Sequence, residues 1–117
     1  MENVSQSDSI HILCAGTEGK QTEEDLYLAG LLVQRIQQNT KNRFRLNAQA
    51  VAAVETWERL FGEGPVSPQR LASHLYQSRG GQNLRKIGLK VDIDIAAQID
   101  SIPHIVKLDS KRMVIES

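Results

Sequence analysis

The chain's first hydrophobic stretch is a short unbroken run, SIHILCAG (residues 9–16), which ends at a glycine. A brief run of β-branched and other apolar residues closed by glycine is typical of a buried strand. The residues before it are polar, so we expect residues 1–9 to form a flexible lead-in and residues 10–117 to form a single domain.

After this run, the apolar residues follow helical spacing. The first helix is predicted from Glu23 to Gln38, with Thr22 as its N-cap and Asp25 reaching back to Thr22 as in a capping box. Its predicted apolar face consists of Leu26, Ala29, Gly30, Val33 and Ile36. A polar break, NTKNR (residues 39–43), follows this helix.

Two further helices are predicted from their end signals. Asn47 is a suitable N-cap for a helix through AQAVAAVETWERLF (residues 48–61), which the glycines and proline of GEGP (residues 62–65) would end. Ser67 followed by Pro68 is typical of a helix start, and this third helix is expected to continue through Tyr76. The predicted apolar positions of the second helix are Val51, Val54, Trp57, Leu60 and Phe61.

The last part of the chain alternates between breaks and short elements. SRGG (residues 78–81) predicts a break between helices. QNLRKIG (residues 82–88) predicts a short helical turn that ends at a glycine. VDIDIAAQID (residues 91–100) alternates like a strand at first, but Asp92 followed by helically spaced apolar residues favours a capped helix. HIVKL (104–108) and MVIE (113–116) predict two strands around a polar turn. The order of strand, helices and strands indicates the α/β class.

Composition narrows the functional classes. The 117 residues include 14 basic and 14 acidic side chains with no basic stripe, so we expect no nucleic-acid partner. No apolar run is long enough to cross a membrane, and the polar start does not resemble a secretory signal. A single cysteine excludes an internal disulfide and fits a reducing compartment, so a cytoplasmic protein is expected.

The loop CAGTEGKQT (residues 14–22) is the first candidate site. Gly16, Thr17 and Gly19 lie between a predicted strand and a helix start, where bare amides and the helix dipole can bind phosphate. The spacing differs from that of a nucleotide-binding P-loop. The alternative is that the two glycines only permit a tight turn.

Cys14 could be a nucleophile if the helix start lowered its pKa. Within an apolar run it is more simply a small buried hydrophobic residue, and we favour that interpretation. The three histidines have no ligand spacing, so a zinc site is not expected.

Acidic residues cluster in the first turn of the first predicted helix. Glu24 and Asp25, with Glu23, could supply oxygen ligands to Mg²⁺, which takes one or two carboxylates plus water and substrate oxygens. Capping and stabilisation of the helix start through its dipole account for all three acids without any metal, and from the residues alone we favour that interpretation.

The SRGG segment is a second candidate anion site. Ser78, Arg79 and Gly81 offer a hydroxyl, a guanidinium and backbone amides, although a plain turn between helices would use the same residues. The acids of the next segment are interpreted first as caps and solvent-facing side chains: Asp92, Asp94 and Asp100.

Beyond these patterns, ILCAGTEGKQTEEDLYLAGLLVQRI resembles the C-terminal half of the 2-phosphosulfolactate phosphatase family, the phosphatases of coenzyme M biosynthesis. Two later segments, SRGGQNLRKIGLKVDIDIAAQID and IPHIVKL, are similar to that family's serine and glycine turn, acidic helix and final strand. The matching positions are Cys14, Ala15, Gly16, Gly19, Glu24, Asp25, Ala29, Gly30, Ser78, Gly81, Leu84, Gly88, Asp92 and Asp100. The sequence departs from the family pattern at Gly80, often histidine there, and at Ala96, usually cysteine.

The resemblance implies a magnesium-dependent phosphatase that hydrolyses the phosphate monoester of a small sulfonated organic acid. It implies a small strand-plus-helices domain corresponding to the C-terminal half of a two-part α/β phosphatase. Substrate or other anions are expected at Gly16, Thr17, Gly19, Ser78, Arg79 and Gly81, and Mg²⁺ at Glu24 and Asp25.

The family's N-terminal segments have no counterpart in this sequence. We therefore expect the chain alone to be a poor catalyst, and a non-catalytic remnant or interaction module is the alternative function. An apolar surface that the other half would cover is expected to lead either to self-association or to binding of that half.

Overall fold

The computed structural model describes residues 9–39 and 44–116, which fold into five helices and a two-stranded sheet. The predicted lead-in (residues 1–8) and most of the NTKNR break (residues 40–43) lie outside the described residues. A small α/β domain was predicted, and the structure confirms this class. None of the helices in the described part of the chain is long and apolar enough to cross a membrane.

The first two helices, α1 (Glu23–Asn39) and α2 (Ala48–Phe61), pack closely against each other. The contact is close at Gly30, where an added Cβ would overlap the carbonyl of Ala53 and the Cβ of Trp57. Asn47 caps α2 as predicted, because its Oδ1 accepts a hydrogen bond from the Ala50 N–H at 2.8 Å. The observed bounds of both helices agree with the predicted bounds to within one residue.

Three shorter helices come next: α3 (Pro68–Gln77), α4 (Arg79–Lys86) and α5 (Lys90–Ala96). The Oγ of Ser67 accepts from the Arg70 N–H, so the predicted start of α3 is confirmed. The predicted SRGG break is confined to Ser78, because the three residues after it form the first turn of α4. Ser78 ends α3 and caps α4, and it is fully buried.

The C-terminal hairpin pairs β1 (Lys107–Asp109) with β2 (Val114–Glu116) in antiparallel register, with Leu108 opposite Ile115. The side chain of Asp109 accepts hydrogen bonds from the backbone N–H groups of Lys111 and Arg112 and so orders the turn. The predicted hairpin and its polar turn are confirmed, but the predicted bounds are not. The first strand begins at Lys107 rather than His104, and the second begins at Val114, one residue later than predicted.

The core lies where α2, α3 and the end of α5 meet. Trp57 is 1% exposed, and its ring centroid is 4.4 Å from that of Phe61. The buried residues of this cluster are Trp57, Phe61, Leu71, Ala72 and Ala97. Tyr27 of α1 and His74 of α3 stack edge-on against Phe61, so aromatic side chains join three helices.

Three local predictions are wrong. SIHILCAG forms no strand, and Leu13 is 96% exposed, because the described residues provide no neighbouring strand for it. Cys14 is consequently exposed rather than buried. Val51, expected on the apolar face of α2, is 37% exposed, and the smaller Ala53 is buried instead.

Two predicted caps are also wrong. No capping box forms at Thr22, since its Oγ1 has no hydrogen-bond partner and the Asp25 carboxylate bonds elsewhere. Helix α5 begins at Lys90, two residues before Asp92, and its N-cap position, Leu89, makes no side-chain cap. In both cases the carboxylate lies inside the first turn of the helix.

Candidate functional site

The opening loop is a tight two-residue turn. Thr17 and Lys20 exchange backbone hydrogen bonds of 2.9 and 3.0 Å. Glu18 and Gly19, between them, both have positive φ, as in the type I′ turns of hairpins. Gly16 also has positive φ, and an added Cβ would overlap the Lys20 carbonyl, so only glycine fits there. The N–H of Thr17, one of the predicted anion donors, thus already has a partner within the turn.

The turn is held against the start of α1 by Asp25. Its Oδ2 accepts a hydrogen bond from the Gly16 N–H at 2.8 Å, and its backbone carbonyl accepts from the Cys14 thiol at 3.7 Å. Asp25, predicted as a magnesium ligand or cap, therefore connects the loop to the helix. Cys14 and Gly16 lie beside the first turn of α1 as a result.

The second candidate loop lies beside the first. The Arg79 guanidinium contacts the Glu18 carboxylate at 2.5 Å, joining the start of α4 to the turn. The two side chains are 46% and 75% exposed, so solvent screens this ion pair and its contribution to stability is small. The ion pair shows instead that two segments about 60 residues apart in sequence lie side by side.

Ser78 and Gly81 fix the backbone at the start of α4. The Ser78 Oγ donates to the Leu75 carbonyl at 2.7 Å and accepts from the Gly81 N–H at 3.1 Å. An added Cβ at Gly81 would overlap the Leu75 carbonyl, so the glycine permits this close approach. Both residues, predicted to bind anions, act in the structure to join α3 to α4.

Glu24 connects the acidic turn of α1 to the same helix start. Its carboxylate lies against Gly80, where an added Cβ would overlap it. Oε2 of Glu24 is buried and has no hydrogen-bond partner. An orphaned carboxylate oxygen is a suitable ligand for a hard cation such as Mg²⁺.

The first turn of α1 carries negative charge, which affects the neighbouring Tyr27. The pKa of Tyr27 is raised from its ordinary value of 10.0, first because the ring is partly buried and then because the Glu23 and Glu24 carboxylates disfavour a phenolate. Arg59 acts in the opposite direction but does not outweigh them. A phosphate or sulfonate would meet the same unfavourable field unless a cation lay between.

The structure thus gathers most of the predicted site residues around one place, where the turn at residues 17–20 and the first turns of α1 and α4 meet. Contacts link Gly16 to Asp25, Glu18 to Arg79 and Glu24 to Gly80. Within residues 9–39 and 44–116, no three His, Cys, Asp or Glu side chains are grouped closely enough to hold a metal ion. A cation here would therefore depend on water or substrate oxygens as well as on Glu24.

Sequence reasoning missed Glu18 and Gly80 as parts of this site. Glu18 lies within the opening loop, and an acid in an anion-binding loop could have suggested a nearby cation. Gly80 stood out in the sequence only as a departure from the family pattern. Neither contact could be read from spacing, because both depend on how α4 packs near α1.

The acids of the C-terminal part lie in other contacts. Asp94 accepts a hydrogen bond from the Tyr76 hydroxyl, and this bond is the main reason that the pKa of Tyr76 is raised. Asp100 binds Arg35 of α1 at 2.7 Å. These two carboxylates therefore connect elements of the fold.

Comparison with known proteins gives consistent matches. A family model described as 2-phosphosulpholactate phosphatase matches residues 1–111. A curated protein of Deinococcus radiodurans, named "Probable 2-phosphosulfolactate phosphatase", is 31% identical over 106 residues. The match covers 88% of this chain but 40% of the relative, so the chain spans about two fifths of that protein's length. No solved structure matches the chain.

Proposed function

Because this chain belongs to the 2-phosphosulfolactate phosphatase family, we propose that it supplies part of the site of a magnesium-dependent phosphatase acting on 2-phosphosulfolactate. In this reaction water attacks phosphorus, the P–O ester bond breaks, and sulfolactate and inorganic phosphate are released. The observation that supports this role is the meeting of the turn at residues 17–20 with the first turns of α1 and α4.

The substrate carries a phosphate, a sulfonate and a carboxylate, and all three are anionic at neutral pH. Arg79 is one of the cationic side chains at the meeting point, and a guanidinium can form two parallel hydrogen bonds to such a group. Its exposure leaves it accessible, although it now pairs with Glu18. In the proposal, a substrate anion replaces Glu18 as the partner of Arg79.

Mg²⁺ is proposed to neutralise the acidic side of the site. Glu24 would be its principal protein ligand, since Oε2 lacks a partner. Asp25 would act directly or through water, with its other oxygen held by Gly16. When bound, the cation would polarise the phosphoryl group and screen it from the carboxylates.

A cation-binding experiment tests Glu24 without relying on turnover. Mn²⁺, which binds oxygen-rich magnesium sites, is titrated into the chain and followed by electron paramagnetic resonance. We expect Glu24→Gln to weaken binding by at least about tenfold, and Asp25→Asn to weaken it less, because Asn can still accept from Gly16. Glu55→Gln, an exposed change on α2, is the control. Equal affinity in wild type and Glu24→Gln would contradict the proposed metal ligand.

Phosphate release tests the enzymatic role. The 117-residue chain is assayed with 2-phosphosulfolactate and Mg²⁺, alone and together with the remaining part of the D. radiodurans relative. We expect little or no release by the chain alone, and magnesium-dependent release by the pair that falls strongly in Arg79→Ala. Efficient turnover by the chain alone would contradict the expectation of a partial site.

A non-catalytic module that keeps the family fold is the second candidate. It is favoured by Ser78 and Gly81, which were predicted to bind anions but hydrogen-bond within the junction of α3 and α4. The same assay separates the two functions: a pair that binds tightly but releases no phosphate supports the module. For either function, a cytoplasmic location is proposed, because the single exposed cysteine suits a reducing compartment.

A further inference from the structure

Most of the large apolar side chains that remain exposed lie between Ile87 and Ile115. In the hairpin, Leu108 and Ile115 are 61% and 72% exposed although they pair directly across the strands. Val106 and Met113, which precede the two strands, are 64% and 76% exposed. We call these four residues the apolar hairpin surface.

The other face of the hairpin is different. Lys107, Asp109 and Glu116 lie there with Val114, because neighbouring residues of a strand point to opposite sides. Arg112 lies within salt-bridge distance of both Asp109 and Glu116, so the charges of the hairpin are largely matched. One apolar and one charged face is the pattern of a sheet that is covered on one side.

Within the described part of the chain, nothing covers the apolar hairpin surface. The main contacts between elements join α1 to α2, α3 to α4 and α5, α4 to α5, and β1 to β2. A two-stranded hairpin is at best marginally stable by itself and needs a further strand or a packed layer. Exposed apolar patches of this kind mark interaction surfaces.

We propose that the apolar hairpin surface docks the part of the family fold that lies outside the region matched in this chain. The curated relative has 60% of its length outside the match (100 − 40), which is enough to provide another packed layer. Exposed apolar residues also occur on α5 (Val91 and Ile95) and in the unpaired segment at Ile12 and Leu13. Exposed apolar side chains on three segments are more than the hairpin of an identical chain would cover, which favours a larger occupant.

Co-expression tests this docking, and it measures binding rather than phosphate release, so its result is independent of the proposed enzymatic function. The tagged 117-residue chain is produced together with the remaining part of the D. radiodurans relative, and the amount that co-purifies is measured. We expect co-purification with the wild-type chain. Leu108→Lys and Ile115→Lys should each lower recovery by at least about tenfold, because an unpaired charge would be buried in an apolar contact.

Val114→Lys is the matched control, since it places the same charge on the opposite face of the same hairpin, and it should leave recovery within about twofold of wild type. Unchanged fluorescence of Trp57 would show that each variant keeps its helical core. Equal loss in all three variants, or none in any, would overturn the proposal. So would a concentration-dependent dimer of the chain alone, seen by sedimentation and abolished by Ile115→Lys, because the occupant would then be a second copy.

A single-chain version covers the case in which the separate part of the relative is insoluble. This chain replaces the matched region within the D. radiodurans protein, and the melting temperature of the chimera is measured. Ile115→Lys should lower it by several degrees and Val114→Lys should not. Equal melting temperatures would overturn the proposal.

Discussion

Thr22 is 4% exposed at the start of α1, and its hydroxyl has no hydrogen-bond partner. A buried hydroxyl without a partner is destabilising, and an apolar side chain of similar shape removes that cost. We therefore expect Thr22→Val to leave the free energy of unfolding unchanged or to raise it by up to about 1 kcal/mol. Urea unfolding measures the difference.

Thr56→Val is the control, because its hydroxyl does have a partner, the Ala52 carbonyl at 2.8 Å. A loss of about 1 kcal/mol or more in Thr22→Val would instead indicate that Thr22 caps α1 in solution, as the sequence predicted.

The raised pKa of Tyr27 predicts a dependence of stability on alkaline pH. An unfolded tyrosine ionises near its ordinary value of 10.0, whereas folded Tyr27 keeps its proton to higher pH because of burial and the nearby carboxylates. Its contribution to stability is therefore complete below that pH and is lost as the pH rises through the folded pKa. Urea unfolding of wild type and Tyr27→Phe between about pH 9 and pH 11 should show a smaller decline in the variant.

Tyr76→Phe is a useful comparison for this measurement. The pKa of Tyr76 is also raised, but mainly by its hydrogen bond to Asp94, with burial as the second cause. We expect a weaker effect on the pH dependence than for Tyr27→Phe. Identical declines in wild type and Tyr27→Phe would contradict the environment described for Tyr27.

At the scale of elements, the contact between α1 and α2 depends on Gly30. Alanine is the better helix former by about 1 kcal/mol, but its Cβ would overlap the Ala53 carbonyl. Overpacking costs about 1–3 kcal/mol, so we expect Gly30→Ala to lower the free energy of unfolding by about 1–2 kcal/mol. Gly64→Ala, where an added Cβ meets nothing within 4 Å, is the control. A more stable Gly30→Ala would show that the helices are farther apart in solution.

Local signals explain why most elements could be predicted. The Asn47 and Ser67 caps and the Gly62 end each involve groups a few residues apart, so the sequence contains all the information that they need. The prediction of a strand at residues 9–16 failed because a strand requires a partner from elsewhere in the fold, which local sequence does not specify. The predicted capping box at Asp25 failed for a related reason. Its carboxylate accepts a hydrogen bond from the Gly16 N–H instead of reaching back to Thr22.

For the candidate site too, features set by neighbouring residues were predicted and features set by tertiary contacts were not. The residues of each candidate loop could be selected from sequence. Ser78 and Gly81 were predicted to bind anions, but their role in joining α3 to α4 was not predicted. The pairing of Glu18 with Arg79 depends on tertiary packing and had no signal in the spacing. The resemblance to a family supplied the expectation of phosphatase chemistry that spacing alone could not.

For the molecule as a whole, the core around Trp57 and the C-terminal hairpin should differ in hydrogen exchange. Amides of α1 and α2 are bonded within helices that pack on each other, whereas the hairpin has no layer from the described residues covering its apolar face. We expect hairpin amides to exchange much faster than those near Trp57, as measured by mass spectrometry. Equal protection in the chain alone would indicate that the hairpin is already covered.

The position of Ser78 between two helices limits where related sequences can gain or lose residues. One buried residue both ends α3 and begins α4, so no linker exists there to absorb an insertion. Each residue added to a helix rotates the next part of the chain by about 100 degrees, which would carry Arg79 and Gly80 away from Glu18 and Glu24. Related sequences should therefore gain or lose residues in the exposed bend at residues 63–65, while the distance along the chain between the core of α3 and Arg79 stays constant.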